Sequence, residues 1–245
     1  MIELNKFSTR APKGLNKKNI KKKTKKIVKK IGELSRIYEA DKSHALLIVF
    51  QGMDSSGKDG TTREVFKYVS PNIACAYSFK KPTPLEMSHD FLWRVHKIVP
   101  GKGQIRIFNR SHYEDVLIQR VHHWINDKKV EQRIASINHF ERLLKQDNNT
   151  TILKFYLHLS HEKQKEKLQE RKDLLEKNWK HNPGDWEESK LWEQYIDAYE
   201  NVLNKSEIAW HIIPADQRWY RNYYVAKIVL HALEKMNLQY PKLEE

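Results

Sequence analysis

The clearest chemical signal in this sequence is a glycine-rich segment that reads Gly52, Met53, Asp54, Ser55, Ser56, Gly57 and Lys58. It has the G-x-x-x-x-G-K spacing of a Walker A phosphate loop, and it follows an apolar run that predicts a buried strand. The glycines allow the backbone to curl until successive N–H groups face one anion, and a following helix adds its positive end. The segment therefore predicts phosphate binding, with Lys58 on the terminal phosphates; the alternative is an ordinary strand-to-helix turn.

The residues after the loop lysine depart from the usual form of this motif. The Ser or Thr that commonly binds Mg²⁺ at the next position is replaced by Asp59, which is followed by Gly60. Another oxygen must then hold the metal ion. Asp54 is a candidate because hard carboxylate oxygens suit Mg²⁺, and the hydroxyl of Thr61 or Thr62 is another.

A second polar cluster follows a predicted strand at 105–108. Asn109 and Arg110 come directly after this strand, and Glu114 and Asp115 follow a turn later. Two carboxylates at the start of a helix can simply complement its dipole. Beside an amide and a guanidinium, at the sheet edge where α/β folds bind ligands, they instead predict chemistry. A carboxylate would hold Mg²⁺ or accept a proton, and Arg110 would stabilise a transferring phosphoryl group.

Hydrophobic patterning predicts the elements that position these residues. Apolar runs predict five strands, at 46–50, 73–79, 105–108, 151–159 and 208–213. Amphipathic spacing predicts helices at 57–68, 84–98, 114–126, 129–146 and 217–236, and another after Ser160, which would be its N-cap. Strands that alternate with helices form a mostly parallel sheet covered on both faces. The sequence therefore predicts an α/β fold.

The composition limits the class of protein. The 245 residues are 39% hydrophobic and 11% aromatic, which suffices for one compact core. No stretch approaches the roughly 18 consecutive apolar residues of a membrane helix, and the first residues lack the apolar segment of a secretory signal. The single cysteine, Cys75, is typical of a reducing compartment. We therefore expect a cytoplasmic protein, and the apolar run around Cys75 predicts a small core residue.

The net charge of +14 is concentrated at the beginning of the chain. Residues 1–30 contain twelve Lys or Arg residues and one acidic residue, a net charge of +11, which leaves +3 for the remainder. A basic arm predicts a polyanionic partner, either nucleic acid, an anionic membrane or polyphosphate. The wet face of an amphipathic helix is an equal alternative, because apolar side chains recur at helical spacing, at Ile20, Ile27, Ile31, Leu34 and Tyr38.

Several longer segments resemble one known family. Motifs of the polyphosphate kinase 2 family are similar, in the same order, to LLIVFQGMDSSGKDG (46–60), YSFKK (77–81), HDFLWR (89–94), IFNRSHYEDV (107–116), KNWK (177–180), Asp185 and PADQRWYR (214–221). The resemblance covers about residues 40–235, and the lysine-rich arm is less characteristic.

This resemblance implies a fold, a reaction and partners. The fold is a P-loop kinase-like three-layer sandwich with a mostly parallel five-stranded sheet and a helical lid at about 160–190. The chain then divides into a basic N-terminal arm and helix at 1–40 and a single phosphotransferase domain at 41–240. The reaction is a Mg²⁺-dependent, reversible phosphoryl transfer between inorganic polyphosphate and adenine or guanine nucleotides. We also expect a homo-oligomer, dimer or tetramer, with no nucleic-acid or membrane partner.

Family roles fall on matching positions. The resemblance places Asp54 and Asp115 near the metal, Lys58 on phosphate and Arg110 at the transferring group, with Glu114 beside them. Glu114 and Asp115 stand where other branches of the family carry Asn and Arg, which is typical of the branch that accepts AMP as well as ADP. The implied phosphate and nucleotide contacts are Gly52, Met53, Ser55, Ser56, Gly57, Asp59, Gly60, Thr61, Asn109, Lys80, Lys81, Arg94, Arg171 and Lys180.

Two further regions fit this interpretation. The stretch at 162–178 is nearly all polar, which predicts a solvent-bridging or mobile helix that acts as a lid. Its Arg171 and, just beyond, Lys180 would reach phosphates, or else are solvated surface charges. Lys80, Lys81 and Arg94 would line the path of a long polyanion. Beyond the fifth strand, side chains that would contact either substrate are Asp216, Arg218 and Arg221.

Two rival functions share parts of this pattern. An ATP-dependent kinase of a small metabolite or nucleoside monophosphate would use the same loop, but it needs no basic track for a long polyanion. A nucleic-acid-binding protein would explain the basic arm, but not the phosphate loop or the acidic cluster.

Overall fold

Five parallel strands form the centre of the molecule, in a computed structural model that describes residues 1–243. The strands are β1 (Ala45–Gln51), β2 (Ala74–Tyr77), β3 (Ile105–Asn109), β4 (Thr150–His158) and β5 (Trp210–Pro214). Their order across the sheet is β2-β3-β1-β4-β5, and every neighbouring pair is parallel. All carboxyl ends therefore meet at one edge, with the end of β1 in the middle.

Eleven α-helices flank the sheet within the described residues. They are α1 (Lys17–Asp41), α2 (Lys58–Val65), α3 (Pro84–Met87), α4 (Trp93–His96), α5 (Ile118–Val121), α6 (Asp127–Asp147), α7 (His161–Asp173), α8 (Leu175–Asn178), α9 (Gly184–Lys190), α10 (Trp192–Lys205) and α11 (Arg218–Lys235). Two 3₁₀ turns, at Leu4–Lys6 and His112–Asp115, complete the set. Each of these helices is too short or too polar to cross a bilayer.

The sheet is covered on both faces because side chains alternate along its strands. In β1, Leu47 and Val49 belong to a core shared with α6 and α10. Leu46 and Ile48 belong to a second core shared with α1, α2 and α11. Seven consecutive buried residues in β1 are the consequence. The predicted three-layer α/β fold is confirmed.

The basic arm contains a long helix that packs on the body of the protein. Asn16 caps α1 by accepting a hydrogen bond from the Asn19 N–H at 3.0 Å. The side chains of Ile20, Val28 and Ile31 are buried, and the latter two pack with residues of α11. The amphipathic helix predicted from the spacing of apolar residues is therefore confirmed, and the lysines lie on its solvent-exposed face.

Two predicted helices are each divided in the structure. The stretch at 84–98 forms α3 and α4, because Asp90 accepts a hydrogen bond from the Leu92 N–H and so starts a new turn. The stretch at 114–126 forms the end of a 3₁₀ turn and the short α5. Ser111 begins that turn by accepting from the Tyr113 N–H. Local side-chain caps outweigh the hydrophobic period in both places.

The prediction that Cys75 is a small core residue is wrong. It lies on β2, an edge strand on which three of four residues are exposed, and its thiol is exposed rather than part of the core. An apolar run predicts burial on both faces only for a strand inside the sheet.

A fully buried polar cluster lies beneath β4. Lys154 donates hydrogen bonds of 2.7 Å to Glu141 on α6 and to the hydroxyl of Tyr113. Tyr113 donates to the other oxygen of Glu141, and these side chains are at most 1% exposed. The cluster joins β4, α6 and the 3₁₀ turn that precedes α5.

Candidate active site

The phosphate loop connects β1 to α2 at the centre of the carboxyl edge. Ser55 has a φ of 67° and Gly57 a φ of 92°, so the backbone turns back on itself as the motif predicts. The ammonium group of Lys58 donates to the carbonyl oxygens of Gly52 at 2.8 Å and Met53 at 3.3 Å. The loop is thus closed by its own lysine.

Arg221, on α11, supports this loop from behind. It is 5% exposed, and it donates to the Ser56 carbonyl at 2.8 Å and to the Thr61 hydroxyl at 2.7 Å. A Cβ atom at Gly57 would lie 2.3 Å from the guanidinium, so only glycine fits. Burial, together with the charge of Arg218, lowers the pKa of Arg221 to about 10. The sequence analysis placed Arg221 on a substrate, whereas the structure makes it a support of the loop.

The hydroxyl groups considered for the metal have protein partners. The Thr61 hydroxyl accepts a hydrogen bond from Arg221, and the Thr62 hydroxyl donates one to the side-chain oxygen of Asn109 at 3.0 Å. Asn109 in turn donates to Asp59 at 3.0 Å, which joins the end of β3 to α2. These side chains therefore brace the elements of the site.

A cavity of about 250 Å³ opens beside the loop. It collects residues from the loop, from the segment after β3 and from the helices between β4 and β5. The lining is Gly52, Met53, Asp54, Arg110, Glu114, Ile118, Gln164, Asn182, Gly184, Asp185, Glu188, Tyr195 and Tyr199. The phosphate loop and the second polar cluster of the sequence thus meet in one place.

Asp54 and Arg110 form an ion pair in this cavity, with Nη2 and Oδ1 2.5 Å apart. Burial by itself would raise the pKa of Asp54, but the positive charges of Arg110 and Lys58 outweigh it and the pKa is lowered. The charge of Asp54 raises the pKa of Arg110. For Lys58, burial and the nearby Arg110 lower the pKa. The site therefore combines the Asp54 carboxylate, whose pKa is lowered, with the Arg110 guanidinium in the cavity and the Lys58 ammonium near it.

The two carboxylates after β3 point in different directions. Glu114 lines the cavity, and burial raises its pKa against the charges of Arg110 and Lys58. Asp115 turns away: it accepts from Gln119 at 2.7 Å and lies 3.6 Å from Arg94. The resemblance implied Asp115 as the metal neighbour of Asp54, whereas the structure brings Glu114 to Asp54.

Of the three residues expected on the path of the polyanion, one is buried and two are exposed. Arg94 is 8% exposed and donates to the Lys80 carbonyl at 2.8 Å, so it holds that segment in place. Lys80 and Lys81 are exposed. Two of the three are thus free to meet a substrate.

The helices from α7 to α9 close one side of the cavity. Arg171 on α7 pairs with Asp185 on α9, which lines the cavity. Burial and the charge of Asp54 raise the pKa of Asp185, although Arg171 opposes this. Lys180 is exposed and lies against the ring of Trp179. The predicted lid segment is thus next to the site, with Arg171 held in an ion pair.

Comparison with known proteins identifies the family. Residues 14–241 match the sequence model of the family described as Polyphosphate kinase 2. The chain belongs to the polyphosphate kinase 2 family.

Two relatives and one solved structure support this membership. An AMP/ADP-polyphosphate phosphotransferase from Meiothermus ruber is 44% identical over 88% of this chain and 82% of its own length. An ADP-polyphosphate phosphotransferase from Rhodopseudomonas palustris is 36% identical over 88% of this chain and 79% of its own. The crystal structure of polyphosphate kinase 2 from Arthrobacter aurescens TC1 superposes with a TM-score of 0.95 at 37% identity, covering 100% of this chain and 89% of that one.

The sequence analysis missed seven residues of the cavity wall, which are Ile118, Gln164, Asn182, Gly184, Glu188, Tyr195 and Tyr199. Glu188 on α9 and Tyr195 and Tyr199 on α10 reach the cavity because these helices pack across it. Tyr195 donates to Glu188 at 2.6 Å. Tyr195 and Tyr199 stand at helical spacing in the sequence, and no local signal distinguishes the apolar stripe of an ordinary helix from the wall of a site.

The side chains of the site supply some of the ligands that a magnesium ion needs, and phosphate oxygens of the substrate would supply others. Among residues 1–243, no group of three or more His, Cys, Asp or Glu side chains is arranged to hold a metal ion. Asp54 and Glu114 supply two carboxylates to one cavity. Mg²⁺ commonly binds through one or two carboxylates plus phosphate oxygens and waters, and this donor set matches that habit.

Proposed function

We propose that this chain transfers phosphoryl groups between inorganic polyphosphate and nucleotides, with AMP as well as ADP as acceptor, and that the reaction requires Mg²⁺. The observation that carries the proposal is one cavity, which joins the phosphate loop to Arg110 and Glu114 in a chain of this family. The relative from Meiothermus ruber bears both acceptors in its name, which supports the dual acceptor here.

The chain contributes positioning and charge rather than a covalent intermediate. Polyphosphate and nucleotide would present their terminal phosphates from opposite sides of the phosphate loop. Negative charge spreads over the oxygens of the transferring group in a loose transition state. Lys58 and Arg110 are the cations nearest to that charge, and the loop N–H groups hold the phosphates in line.

Asp54 and Glu114 would hold the magnesium ion, which supplies charge neutralisation at the phosphates when bound. Asp54 is suited to this role because Arg110 and Lys58 keep it ionised. When substrate phosphates arrive, Arg110 would turn from Asp54 to the transferring group. Its 45% exposed side chain has room to do so.

The segment from α7 to α9 is proposed to act as a lid. Closing it over the cavity would exclude water, which otherwise competes with the nucleotide for the phosphoryl group. The ion pair of Arg171 with Asp185 would stiffen the segment while it moves.

An assay of ATP formation tests the proposal. ADP and AMP are supplied separately with polyphosphate and Mg²⁺, without another phosphoryl donor, and with an adenylate kinase inhibitor because two ADP can disproportionate. We expect polyphosphate-dependent product from both acceptors. Product from ADP alone would remove the dual acceptor, and product only with ATP as donor would favour an ATP-dependent kinase.

Lys58→Ala tests the site itself. We expect turnover to fall by at least a factor of 100, about 3 kcal/mol of transition-state stabilisation, because the loop loses its cation. Circular dichroism and the unfolding midpoint should remain near those of the unmodified chain. Near-normal turnover in a folded variant would overturn the assignment of the loop.

Other properties stay predictions from the sequence and the family resemblance. They are the use of guanine nucleotides, a homo-oligomeric state, the lack of nucleic-acid and membrane partners, and a cytoplasmic location. Light scattering and a nucleotide panel would test the first two.

A further inference from the structure

The exposed side of α1 carries a dense row of cations that the catalytic cavity does not use. We call it the lysine face; it consists of Lys17, Lys18, Lys21, Lys22, Lys23, Lys25, Lys26 and Lys29, all of them exposed. Lys30, next along the helix, pairs with Glu234 on α11. Within the described part of the chain, no carboxylate lies within 4.0 Å of any ammonium group of the lysine face.

This arrangement opposes the stability of the helix. Lysines four positions apart, such as Lys18 and Lys22, repel one another on the surface of the helix. The first turn of α1 has no acidic residue to complement the helix dipole. Glu33 is the first acidic residue in α1. The charge therefore does not serve the fold, and a bound polyanion would relieve the repulsion.

The lysine face starts at the same edge of the sheet as the phosphate loop. The Ala11 N–H, shortly before α1, donates to the side chain of Gln217 at 3.0 Å, immediately before α11. The far end of α1 lies at the opposite edge, where the Tyr38 hydroxyl donates to the Gln104 carbonyl before β3. Hence α1 runs alongside α11 away from the active-site edge, and its first lysines lie nearest the cavity.

The chemistry of the face favours a chain of bare phosphates over a nucleic acid. The exposed residues of α1 are lysines, Asn19, Glu33, Arg36 and Glu39, and its one aromatic residue, Tyr38, is 1% exposed. Proteins that bind single-stranded nucleic acid combine positive charge with aromatic rings on which bases stack. The lysine face offers charge alone, spaced along about 20 Å of helix.

We infer that the lysine face is a second polyphosphate-binding surface, which holds the part of a long chain that extends beyond the catalytic cavity. The inference rests on polyphosphate as substrate. Its consequence is a dependence on chain length: long polyphosphate gains affinity from the face, and a chain that only fills the cavity gains none.

Two matched variants test this inference in the full-length enzyme. The first replaces four residues of the face, Lys18, Lys21, Lys22 and Lys25, by Gln and leaves the buried side of α1 intact. The control replaces four exposed lysines elsewhere, Lys102, Lys128, Lys129 and Lys145, by Gln, so that both variants lose the same charge.

For the first variant we expect the KM for long-chain polyphosphate to rise about fivefold at low salt. The slope of log affinity for labelled long chains against log salt should fall by about 3, since four counterion-displacing contacts are lost. The KM for ADP, kcat and the inhibition constant of tripolyphosphate should not change, because the cavity is untouched. The unfolding midpoint should stay equal or rise, since repulsion within α1 is removed.

Three results would overturn the inference. One is an unchanged KM for long chains, and another is an equal rise in the control variant. The third is displacement of labelled polyphosphate from the face by a single-stranded RNA of equal charge at lower concentration, which would assign the face to nucleic acid. Activity with ADP persists in each of these cases, so they leave the proposed transfer reaction intact. Loss of product in the unmodified enzyme would instead refute that reaction.

Discussion

Asp54, Arg110 and Glu114 line one small cavity with Lys58 close by, yet the pKa values of these four groups are displaced in different directions. Asp54 stays ionised because two cations outweigh its burial, whereas burial prevails at Glu114 and raises its pKa. Burial and the charge of Arg110 lower the pKa of the Lys58 ammonium group. Two carboxylates in different environments can take separate roles, one as a permanent anion and the other as a group that titrates closer to neutrality.

The ratio of activities of the unmodified enzyme and Glu114→Gln should therefore depend on pH. Glu114 loses its charge as pH falls through a pKa above the ordinary 4.5. Above that pKa the carboxylate is present and we expect the variant to be at least tenfold slower. Below it both enzymes carry a neutral group, and the ratio should approach one. Measuring kcat/KM for both proteins from acid to neutral pH checks this.

Taking the ratio removes the titration of the phosphate substrates, which both enzymes share. A ratio that stays constant across the acid range would show that the charge of Glu114 plays no part in the reaction.

At this scale the sequence predicted the strand, turn and helix around residues 52–58, because the motif is local and its strand and helix are adjacent to it. Phosphate binding by this loop stays a prediction. Asp115 as the metal neighbour of Asp54 stays a prediction, but the structure places Glu114 rather than Asp115 on the cavity wall. The sequence shows two neighbouring acids, but the 3₁₀ turn capped by Ser111 decides which of them faces the cavity. That turn depends on contacts with α5 and α6 that no short motif encodes.

Among the elements, the segment from α7 to α9 has few buried side chains. In α7 only Gln164 and Leu168 are buried, and α8 has none. Leu175 is 86% exposed and Trp179 is 78% exposed. An element with so little buried surface opens at low cost, and its apolar groups would gain by closing over a filled cavity.

Trp179 should report this closure by fluorescence. We expect polyphosphate together with nucleotide and Mg²⁺ to shift the emission to shorter wavelength, because the indole leaves water. The shift should vanish in Trp179→Phe and persist in Trp124→Phe, which removes an indole of similar exposure, 65%, outside the segment. An equal shift in Trp179→Phe would show that α8 does not move over the site.

Both ends of every strand were predicted to within two residues, because continuous apolar runs bounded by polar residues identify interior strands. Helices were less predictable. The predicted helix at 84–98 breaks where Asp90 caps a new turn. The predicted helix at 114–126 is reduced to α5, between the 3₁₀ turn that Ser111 caps and the helix α6 that Asn126 caps. Hydrophobic period alone does not reveal such caps when they stand inside an otherwise regular pattern.

For the whole molecule, the cluster of Lys154, Glu141 and Tyr113 ties the sheet to one helical layer and to the turn that carries Glu114. Burial lowers the pKa of Lys154 against the attraction of Glu141, while His112 and Lys154 together outweigh burial and lower the pKa of Glu141. The lowered pKa of Glu141 favours its carboxylate form, and its 2.7 Å contact with the Lys154 ammonium offsets the loss of hydration.

Lys154→Met should therefore lower the free energy of unfolding by about 3–5 kcal/mol, since it leaves the Glu141 carboxylate buried without its cation. The double variant Lys154→Met with Glu141→Leu should recover much of this loss, because no charge remains buried. Urea unfolding of both variants measures the difference. If the double variant is less stable than Lys154→Met, the pair does not act through the buried charge.

The support of the phosphate loop by Arg221 has a consequence for the order in which the protein matures. The ribosome makes residues 52–58 early, but the guanidinium that holds Ser56 and Thr61 is added more than 150 residues later, on α11. Until α11 has left the ribosome and docked, the loop lacks its brace and α1 lacks the partner for its apolar stripe. We therefore expect a nascent chain without α11 to bind phosphate more weakly than the folded chain, and activity to begin only after α11 has docked.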